Sequence, residues 1–533
     1  MHAADLIVRH LKDAGVRTVF GVPGGGGNLD IIAAAGRAGL PFVLTATETG
    51  AAIAALAQTE VTGQAGACIT TIGPGVSSVV NGVACAMLER APVVVITDRL
   101  SDDAFEHQRL DHIALMSSIT KASLEVTDDN APKALKGALA LATAPPPGPV
   151  HLDWRREGIT KGTEVAGILR PTGITEGTEV ARITLATSVP SVIPSATSKP
   201  ILITGLGVRN PSVAKAVRDL CERRGIPALV TYKAKGVIPD DHPWFAGVFT
   251  NGAIERPIVE QADLIIGVGL DPVEPLPREW AYRAPVIYVG AWPVSDRHVP
   301  FSSQLVGDVF ESLSALEAKL AHSTWDAGEI RAQWERQQRA ICIRGDGMTA
   351  DTVVETCARV CAASVRVTVD AGAHMFPATM LWPVRQPGDL LISNGLSTMG
   401  FALPAAIGAA TADRDRRVLA LTGDGGLLIC AGELQTVVRE QLPITTVLFR
   451  DDSLSLIEIK QQARRLPASG VALRPMHWTR IAEGFGMPGC SVTDARGLER
   501  ALSSAVSAEG PTLIEAKIDR STYGAMLRVI RGA

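Results

Sequence analysis

Short apolar runs alternate with amphipathic helical stretches along most of this chain, which is the pattern of parallel α/β sheets. The alternation recurs in three segments, residues 1–158, 200–321 and 348–533. Because 533 residues exceed what one hydrophobic core organises, each segment is predicted to be a domain. A linker rich in Gly, Thr, Ser and Pro, residues 159–199, and a linker helix within residues 322–347 would join them. The sequence therefore predicts three parallel-sheet α/β domains.

The strands that can be placed from sequence are short and apolar. They are Thr18–Val22, Ala67–Thr71, Val93–Thr97, Pro200–Thr204, Leu264–Val268, Val286–Val289, Arg417–Thr422 and Ile444–Phe449. Several of them are followed by acidic or glycine-rich turns, and those turns point to function.

Overall charge and cysteine usage exclude several classes of protein. The net charge of −4 argues against nucleic acid or an anionic membrane as the main partner. No apolar run reaches the roughly twenty residues of a membrane span, and no signal peptide is recognised at Met1–Asp5. The eight cysteines have no ligand spacing, and Cys357 and Cys361 are predicted to be core residues. We expect a cytoplasmic protein.

A buried strand, Arg417–Thr422, runs directly into the turn Gly423–Gly426. Ligands of open α/β sheets bind at such strand ends, and glycines let backbone N–H groups approach a phosphate. One carboxylate cannot hold a magnesium ion alone. The next strand, Ile444–Phe449, leads to Asp451, so Asp424 and Asp451 would lie on adjacent strand ends within reach of one ion bridging two phosphates.

Gly-Asp-Gly by itself is a weak signal, and an ordinary strand-to-helix turn is the alternative. A second copy, Gly345–Gly347, lacks a clean apolar strand before it and is predicted to be a loop. The acid at the next strand end distinguishes the Gly423 turn from this copy.

The spacing of this turn and the second acid resembles the thiamine-diphosphate signature. The resemblance implies that Asp424 and Asp451 bind Mg²⁺ through side chains and Ser453 through its carbonyl, while Gly423, Gly425 and Gly426 contact the diphosphate. Relatives often have two asparagines at the second turn. Here Arg450 replaces the first, and Asp452 occupies a place usually held by a small residue.

Glu48 follows the apolar run Pro41–Leu44 and begins a helix of small residues, Thr49–Ala57. An acid in a first helical turn is more often a surface residue that compensates the helix dipole. The resemblance instead implies the activating glutamate, which hydrogen-bonds the aminopyrimidine so that the cofactor can lose its C2 proton. Relatives often have His before it, whereas this chain has Thr47.

In the third segment, Leu391–Phe401 is similar to the turn that bends the cofactor. The resemblance implies that Met399 supports the ring junction, that the Ser397 carbonyl meets the amino group, and that Ala373 and His374 lie over the diphosphate. The alternatives are a gap-filling core methionine and a structural histidine.

Across nearly the whole chain the resemblance is closest to acetolactate synthases of the flavin-independent, catabolic type. It implies three domains: a pyrimidine-binding domain, a Rossmann-like central domain and a diphosphate-binding domain. Matching segments are Phe20–Gly25, Gly73–Gly75, His107–Asp111, Thr120–Lys121, Asp271–Pro275 and Trp280. By this resemblance Pro23, Gly73 and Asn81 contact the cofactor, and Gly25, Gln108 and Lys121 face the substrate. A surface Lys and a solvated Gln remain the alternatives for the last two.

The implied cofactors are thiamine diphosphate and Mg²⁺, with FAD unlikely, since Gly205–Gly207 is too weak a signal for a dinucleotide site. The implied reaction is decarboxylation of a pyruvate-like 2-oxo acid, followed by carboligation of the enamine to a second carbonyl. Four consecutive glycines, Gly24–Gly27, leave room for bulkier substrates. Glu48 and Asp424 lie in different domains, and the resemblance implies a homodimer or homotetramer with the cofactor between subunits. A 2-oxo acid decarboxylase, a 2-hydroxyacyl lyase and a non-catalytic binding subunit are the alternatives.

Overall fold

The computed structural model describes residues 3–99, 107–155, 193, 197–361 and 363–532. These residues form three six-stranded sheets, and neighbouring strands within each sheet run parallel. The predicted fold class is confirmed. The linker predicted at 159–199 lies outside the described residues except for 193 and 197–199, and the segment limits stay a prediction.

The first sheet has the strand order β2-β1-β3-β4-β6-β5. Its strands are β1 Val19–Gly21, β2 Phe42–Leu44, β3 Gly66–Thr70, β4 Val93–Arg99, β5 Ala122–Thr127 and β6 Val150–Arg155. Its helices are α1 Ala3–Asp13, α2 Asn28–Ala38, α3 Glu48–Thr62, α4 Pro74–Leu88, α5 His112–Met116 and α6 Ala131–Thr143. The central strands β3 and β4 are buried along nearly their whole length, as expected for parallel strands covered by helices on both faces.

The central sheet has the order β12-β11-β10-β7-β8-β9, which is the order of a Rossmann-like domain, as predicted. Its strands are β7 Pro200–Thr204, β8 Ala228–Val230, β9 Phe245–Val248, β10 Leu264–Val268, β11 Val286–Gly290 and β12 Phe301–Val306. Its helices are α7 Pro211–Arg224, α8 Arg256–Val259 and α9 Val309–Glu317, and the linker helix α10, Ala327–Ile341, follows.

The third sheet, β14-β13-β15-β16-β18-β17, repeats the order of the first. Its strands are β13 Arg366–Val369, β14 Leu390–Ile392, β15 Val418–Gly423, β16 Ile444–Arg450, β17 Gly489–Val492 and β18 Thr512–Lys517. Its helices are α11 Ala350–Cys361, α12 Met375–Leu381, α13 Ala402–Ala412, α14 Asp424–Cys430, α15 Glu433–Arg439, α16 Ser455–Ala463, α17 Trp478–Gly484, α18 Ala495–Ser507 and α19 Tyr523–Arg531. Strands β15 and β16 are direct neighbours, so their carboxyl ends meet as the sequence predicted.

Predicted strand bounds agree with the structure within one or two residues, the usual uncertainty at element ends. Cys357 and Cys361 are buried on α11, as predicted. None of the described helices combines the length and apolar content that a bilayer crossing requires.

Helices α3 and α13 join the first domain to the third. Both are made mostly of small residues, so their backbones approach closely, and a Cβ built on Gly408 would lie 2.0 Å from the carbonyl oxygen of Ala54. This packing fixes where the amino end of α3, with Glu48, lies relative to the third sheet.

A buried lysine of the central domain ties all three domains together. The Lys233 ammonium lies 3.2 Å from a Glu89 carboxylate oxygen and donates hydrogen bonds to Glu60 and to the carbonyl oxygen of Ile392, 2.8 Å away. Burial opposes ionisation of Glu60, but Lys233 and Arg209 outweigh it and hold the pKa of Glu60 below its ordinary value.

The α3–α13 contact predicts a large effect of one methyl group. Gly408→Ala should destabilise the protein by roughly 1–3 kcal/mol, because the new Cβ meets a backbone carbonyl that cannot rotate away. Thermal unfolding followed by circular dichroism measures the change. The control is Gly36→Ala on α2, where a Cβ meets nothing within 4 Å and which should leave the melting temperature unchanged or raise it. Equal effects of the two substitutions would contradict this packing.

Candidate active site

Two acidic turns meet at the carboxyl ends of β15 and β16. One carboxylate oxygen of Asp424 accepts backbone N–H bonds from Asp451 at 3.2 Å and Asp452 at 2.7 Å. Its other oxygen accepts from the N–H of Gly425 at 2.8 Å. The Asp451 carboxylate is held in turn by the Ser453 N–H, 3.0 Å away, and by the Ser455 hydroxyl at 2.7 Å. The two acids are thus fixed side by side at one edge of the sheet.

Like charge and burial favour the neutral forms of both acids. Burial, and to a smaller extent the charge of Asp424, raises the pKa of Asp451 to about 6. Burial also raises the pKa of Asp424 above its usual range. Two neighbouring carboxylates, one buried and one partly buried, are unfavourable without a partner cation, so this pair is suited to a divalent ion.

The residues that depart from the family pattern have local explanations. Asp452 has φ 55°, in the left-handed region that favours glycine and that Asp tolerates better than most residues. Arg450 pairs with Asp452 at 2.9 Å and with Glu515 at 2.6 Å, so the extra charges of this turn neutralise one another.

A cavity of about 280 Å³ lies against these turns, and all of its lining residues belong to the third domain. The lining includes the third-domain residues that the sequence predicted, namely Ala373, His374, Ser397, Met399, Gly423, Asp424, Gly425, Gly426, Asp451 and Ser453. A Cβ on Gly425 would lie 2.5 Å from the end of the Leu454 side chain, which would have to move to accommodate a larger residue here.

His374 is buried in the cavity wall and stacks on Phe449 with ring centroids 5.1 Å apart. Burial lowers its pKa to about 4, so the ring is neutral. Its Nε2 has no hydrogen-bond partner among the described residues. A buried polar atom in that state is free to form a hydrogen bond with a water molecule or with a group bound in the cavity.

Asp370, at the end of β13, organises the cavity but was not predicted as a site residue. Its carboxylate accepts the N–H of Gly400 at 2.9 Å, the N–H of Ala371 at 2.8 Å and the Thr422 hydroxyl at 3.1 Å. It therefore ties the Met399 turn to β13 and β15. An acid directly after a buried strand was the available signal.

A second group of predicted residues gathers in the first domain. The carboxylate of Glu48 lies 3.4 Å from where a Cβ on Gly75 would be, and Thr71 lies between Gly75 and Gly24. Glu48 therefore lies beside two loops: Gly24–Gly27, called the first glycine loop, and Gly73–Gly75, called the second glycine loop. Within Gly24–Gly27, only Gly25 has open space around its Cβ position.

The turn before Glu48 is held by a third-domain residue of the same chain. One carboxylate oxygen of Glu433, the first residue of α15, accepts the backbone N–H of Ala46 at 3.1 Å and of Thr47 at 3.2 Å. Glu433 is fully buried. Sequence reasoning missed it, because an acid at the start of a helix is commonplace.

The two predicted substrate-facing side chains differ in their surroundings. Gln108 is exposed, has a left-handed backbone at φ 61°, and its carbonyl oxygen lies 2.5 Å from the Cβ position of Gly73. Such strain is typical of functional turns. Lys121 instead donates to the carbonyl oxygens of Leu141 and Ala144, both at 2.6 Å, and so binds the end of α6. Its contacts are structural, and its substrate role stays a prediction.

The residues predicted in both domains form two separate groups within one chain. The cavity lining contains none of the first-domain residues Pro23, Gly25, Glu48, Gly73, Asn81, Gln108 or Lys121. Of these first-domain residues, Asn81 contacts the third domain: its side-chain oxygen accepts a hydrogen bond from the hydroxyl of Thr398, next to Met399, at 2.8 Å.

Comparison with known proteins matches each domain to a family model. Residues 1–115 match the N-terminal TPP binding domain of thiamine pyrophosphate enzymes, residues 193–316 their central domain, and residues 370–516 their C-terminal TPP binding domain. The chain is 31% identical to the catabolic acetolactate synthase of Raoultella terrigena, over 97% of this chain and 95% of that protein. The chain belongs to the acetolactate synthase family.

Other members of the acetolactate synthase family are similarly related. The isozyme 2 large subunit of Escherichia coli is 31% identical over 97% of this chain and 96% of its own length. The acetolactate synthase of Bacillus subtilis is 29% identical, with coverage of 97% and 93%. The chain is therefore a thiamine-diphosphate-dependent enzyme, and the cavity and the first-domain group are the two parts of its candidate active site.

The paired turns predict which Gly-Asp-Gly copy binds the cofactor. Asp424→Asn should weaken binding of thiamine diphosphate with Mg²⁺ by at least about 100-fold, on the order of 3 kcal/mol, because an amide cannot accept from both turns and also ligate a cation. Isothermal titration measures the affinity. The control is Asp346→Asn in the other copy, where the aspartate is exposed in an irregular segment before α11 and binding should be unchanged. Weakening of binding by Asp346→Asn alone would contradict the assignment.

Proposed function

We propose that this enzyme uses thiamine diphosphate and Mg²⁺ to decarboxylate a pyruvate-like 2-oxo acid and to join the remaining acyl unit to a second carbonyl, as an acetolactate synthase does. The observation that carries the proposal is the Asp424 turn, which places two acids beside a glycine-walled cavity. When bound, thiamine diphosphate supplies a carbon that adds to the ketone and holds the electrons left by carbon dioxide.

The residues of the cavity fit a diphosphate and a divalent cation. Asp424, Asp451 and the carbonyl of Ser453 would hold Mg²⁺, which prefers oxygen ligands. Gly423, Gly425, Gly426, Ala373 and His374 would surround the diphosphate. The unpartnered Nε2 of His374 and the glycines that line the cavity support this assignment.

The remaining residues would orient the cofactor and move its proton. Glu48 would bind the aminopyrimidine and control its protonation, with Pro23, Gly73 and Asn81 nearby. Ser397 would offer its carbonyl, and its left-handed backbone, φ 52°, is the kind of strain that binding turns retain. Met399 would support the bent conformation of the cofactor.

A homodimer, or a pair of dimers, would complete the site. In one chain the cavity is walled by the third domain only, while Glu48 lies with the first-domain loops. Large apolar side chains are exposed beside both groups: Leu428 and Ile429 follow the Gly423 turn on α14, and Leu44 and Leu110 lie near Glu48 and Gln108. Exposed apolar surface at complementary half-sites is typical of a subunit interface.

The 2-oxo acid donor and the carbonyl acceptor would meet at the first and second glycine loops. Gly25 has open space where a side chain would project, so this loop could admit groups bulkier than those of pyruvate. Gln108, and Lys121 if its side chain turned away from α6, would orient the acid group by hydrogen bonding and charge.

The contacts of the central domain support an enzyme without flavin. A dinucleotide would need the free N–H groups of the Gly205–Gly207 turn. Here the Leu206 N–H donates to Glu274 at 2.9 Å, and a Cβ on Gly205 would lie 2.4 Å from the same carboxylate. Burial raises the pKa of Glu274 to about 8, and its carboxyl group occupies this position. The expected cytoplasmic location stays a prediction.

Product analysis separates ligation from its alternatives. With thiamine diphosphate, Mg²⁺ and pyruvate, we expect carbon dioxide and acetolactate, measured by mass spectrometry, with turnover reduced at least about 100-fold in Glu48→Gln because general acid–base help is lost. The matched control is Glu311→Gln, another acid in the first turn of a helix, which should leave turnover unchanged. Acetaldehyde as the sole product would contradict carboligation. Equal effects of the two variants would indicate that Glu48 only compensates the dipole of its helix.

A further inference from the structure

A chain of buried polar side chains lies beneath the second glycine loop and has no part in the function proposed above. His112, the first residue of α5, is only 5% exposed. Its Nδ1 lies 2.8 Å from a carboxylate oxygen of Asp153, on β6. Its Nε2 lies 3.2 Å from the backbone nitrogen of Gly73. The imidazole therefore bridges the sheet and the loop.

The hydrogen-bond partners fix the tautomer of His112. A backbone N–H can only donate, so Nε2 must accept the bond from Gly73 and carries no proton. The proton of a neutral ring then lies on Nδ1 and is donated to Asp153, which is an acceptor when ionised. Both ring nitrogens are used, and only the neutral form of His112 satisfies both partners.

The neighbouring groups agree with this assignment. The Thr97 hydroxyl donates to Asp153 at 2.8 Å, so it must accept from the Nε2–H of His151, also 2.8 Å away. The Ser123 hydroxyl then donates to Nδ1 of His151. Burial lowers the pKa of His151 to about 4, so this second ring is neutral as well. Every donor from Ser123 to Gly73 has an acceptor.

The second glycine loop, which His112 supports, lies against both Gln108 and Glu48. Gly73 has φ 55°, and the carbonyl oxygen of Gln108 occupies the space where its side chain would be. Two residues later, Gly75 faces the carboxylate of Glu48. A shift of this turn would move Gln108 and Glu48 relative to one another.

We propose that neutral His112 is a positioning residue, which holds the Gly73–Gly75 turn through its Nε2 lone pair and so sets the placement of Glu48 and Gln108. The catalytic part of this proposal rests on the proposed function, whereas the structural part does not. A misplacement of about 1 Å between reacting groups costs on the order of 100-fold in rate, so a single hydrogen bond at this point matters.

Two substitutions test the roles of the two ring nitrogens of His112 separately. In His112→Gln the side-chain oxygen can reach the Nε2 position and accept from Gly73, while the donor to Asp153 is lost. In His112→Asn the amide can replace Nδ1 and donate to Asp153, while Gly73 loses its acceptor. We expect kcat for pyruvate within about threefold of wild type in the first variant and about ten- to hundredfold lower in the second.

A readout independent of turnover is amide hydrogen exchange, measured by mass spectrometry on the full chain without cofactor. The peptide containing Gly73 should exchange about tenfold faster in His112→Asn than in wild type, and His112→Gln should match wild type. In the wild type, the Gly73 peptide should exchange more slowly than an unstructured peptide of the same sequence, because His112 accepts the Gly73 N–H. The wild-type measurement stands even where a variant folds poorly.

The outcomes are distinguishable. Wild-type exchange and wild-type kcat in His112→Asn would overturn the proposal, as would equal losses in both variants at an unchanged melting temperature. Exchange of the Gly73 peptide in wild type at the rate of an unstructured peptide would also overturn it. If wild-type enzyme failed to ligate pyruvate, the proposed function would fall, while the exchange experiment would still test the role of His112.

Discussion

One carboxylate determines the geometry of this site: that of Asp424, which accepts the backbone N–H groups of Asp451 and Asp452 from the neighbouring strand. In a parallel sheet all carboxyl ends lie at the same edge, but their turns are free to diverge. By accepting these two bonds, Asp424 holds the second turn close to the first, so that the Asp451 side chain lies beside that of Asp424. The resulting pair of acids is unfavourable without a cation, and the glycines of the first turn leave space next to it for an anion.

Within one chain, the residues that line the cavity and the residues around Glu48 form two different groups. Close packing of α3 on α13, the Glu433 contact with the turn before Glu48, and the buried Lys233 network hold the first domain against the third. In this arrangement the cavity is lined by third-domain residues only, and Glu48 is not among them. This separation is the physical reason for proposing that a second subunit completes the site.

Much of the fold and the centre of the site could be predicted from the sequence, because both depend on local patterns. Buried parallel strands are continuous apolar runs, and an acid with glycines at their ends is visible directly. The residues that were missed act through contacts distant in sequence. Glu433 binds a turn almost four hundred residues before it, and His112 and Asp153 acquire a role only when the sheet brings them together. Lys121 differs from these residues: the family resemblance implies a substrate role, whereas in the fold its ammonium donates to two carbonyl oxygens, so that role stays a prediction.

The central claim is that one cation joins Asp424 and Asp451 while Glu48 of a second copy reaches the same cofactor. A crystal structure of the enzyme with thiamine diphosphate and Mn²⁺, with the ion located by its anomalous scattering, tests this most directly. The account predicts one manganese bonded to both aspartates and to the Ser453 carbonyl, with the aminopyrimidine on Glu48 of the partner subunit. An ion bound elsewhere, or a cofactor held entirely within one chain, would contradict it.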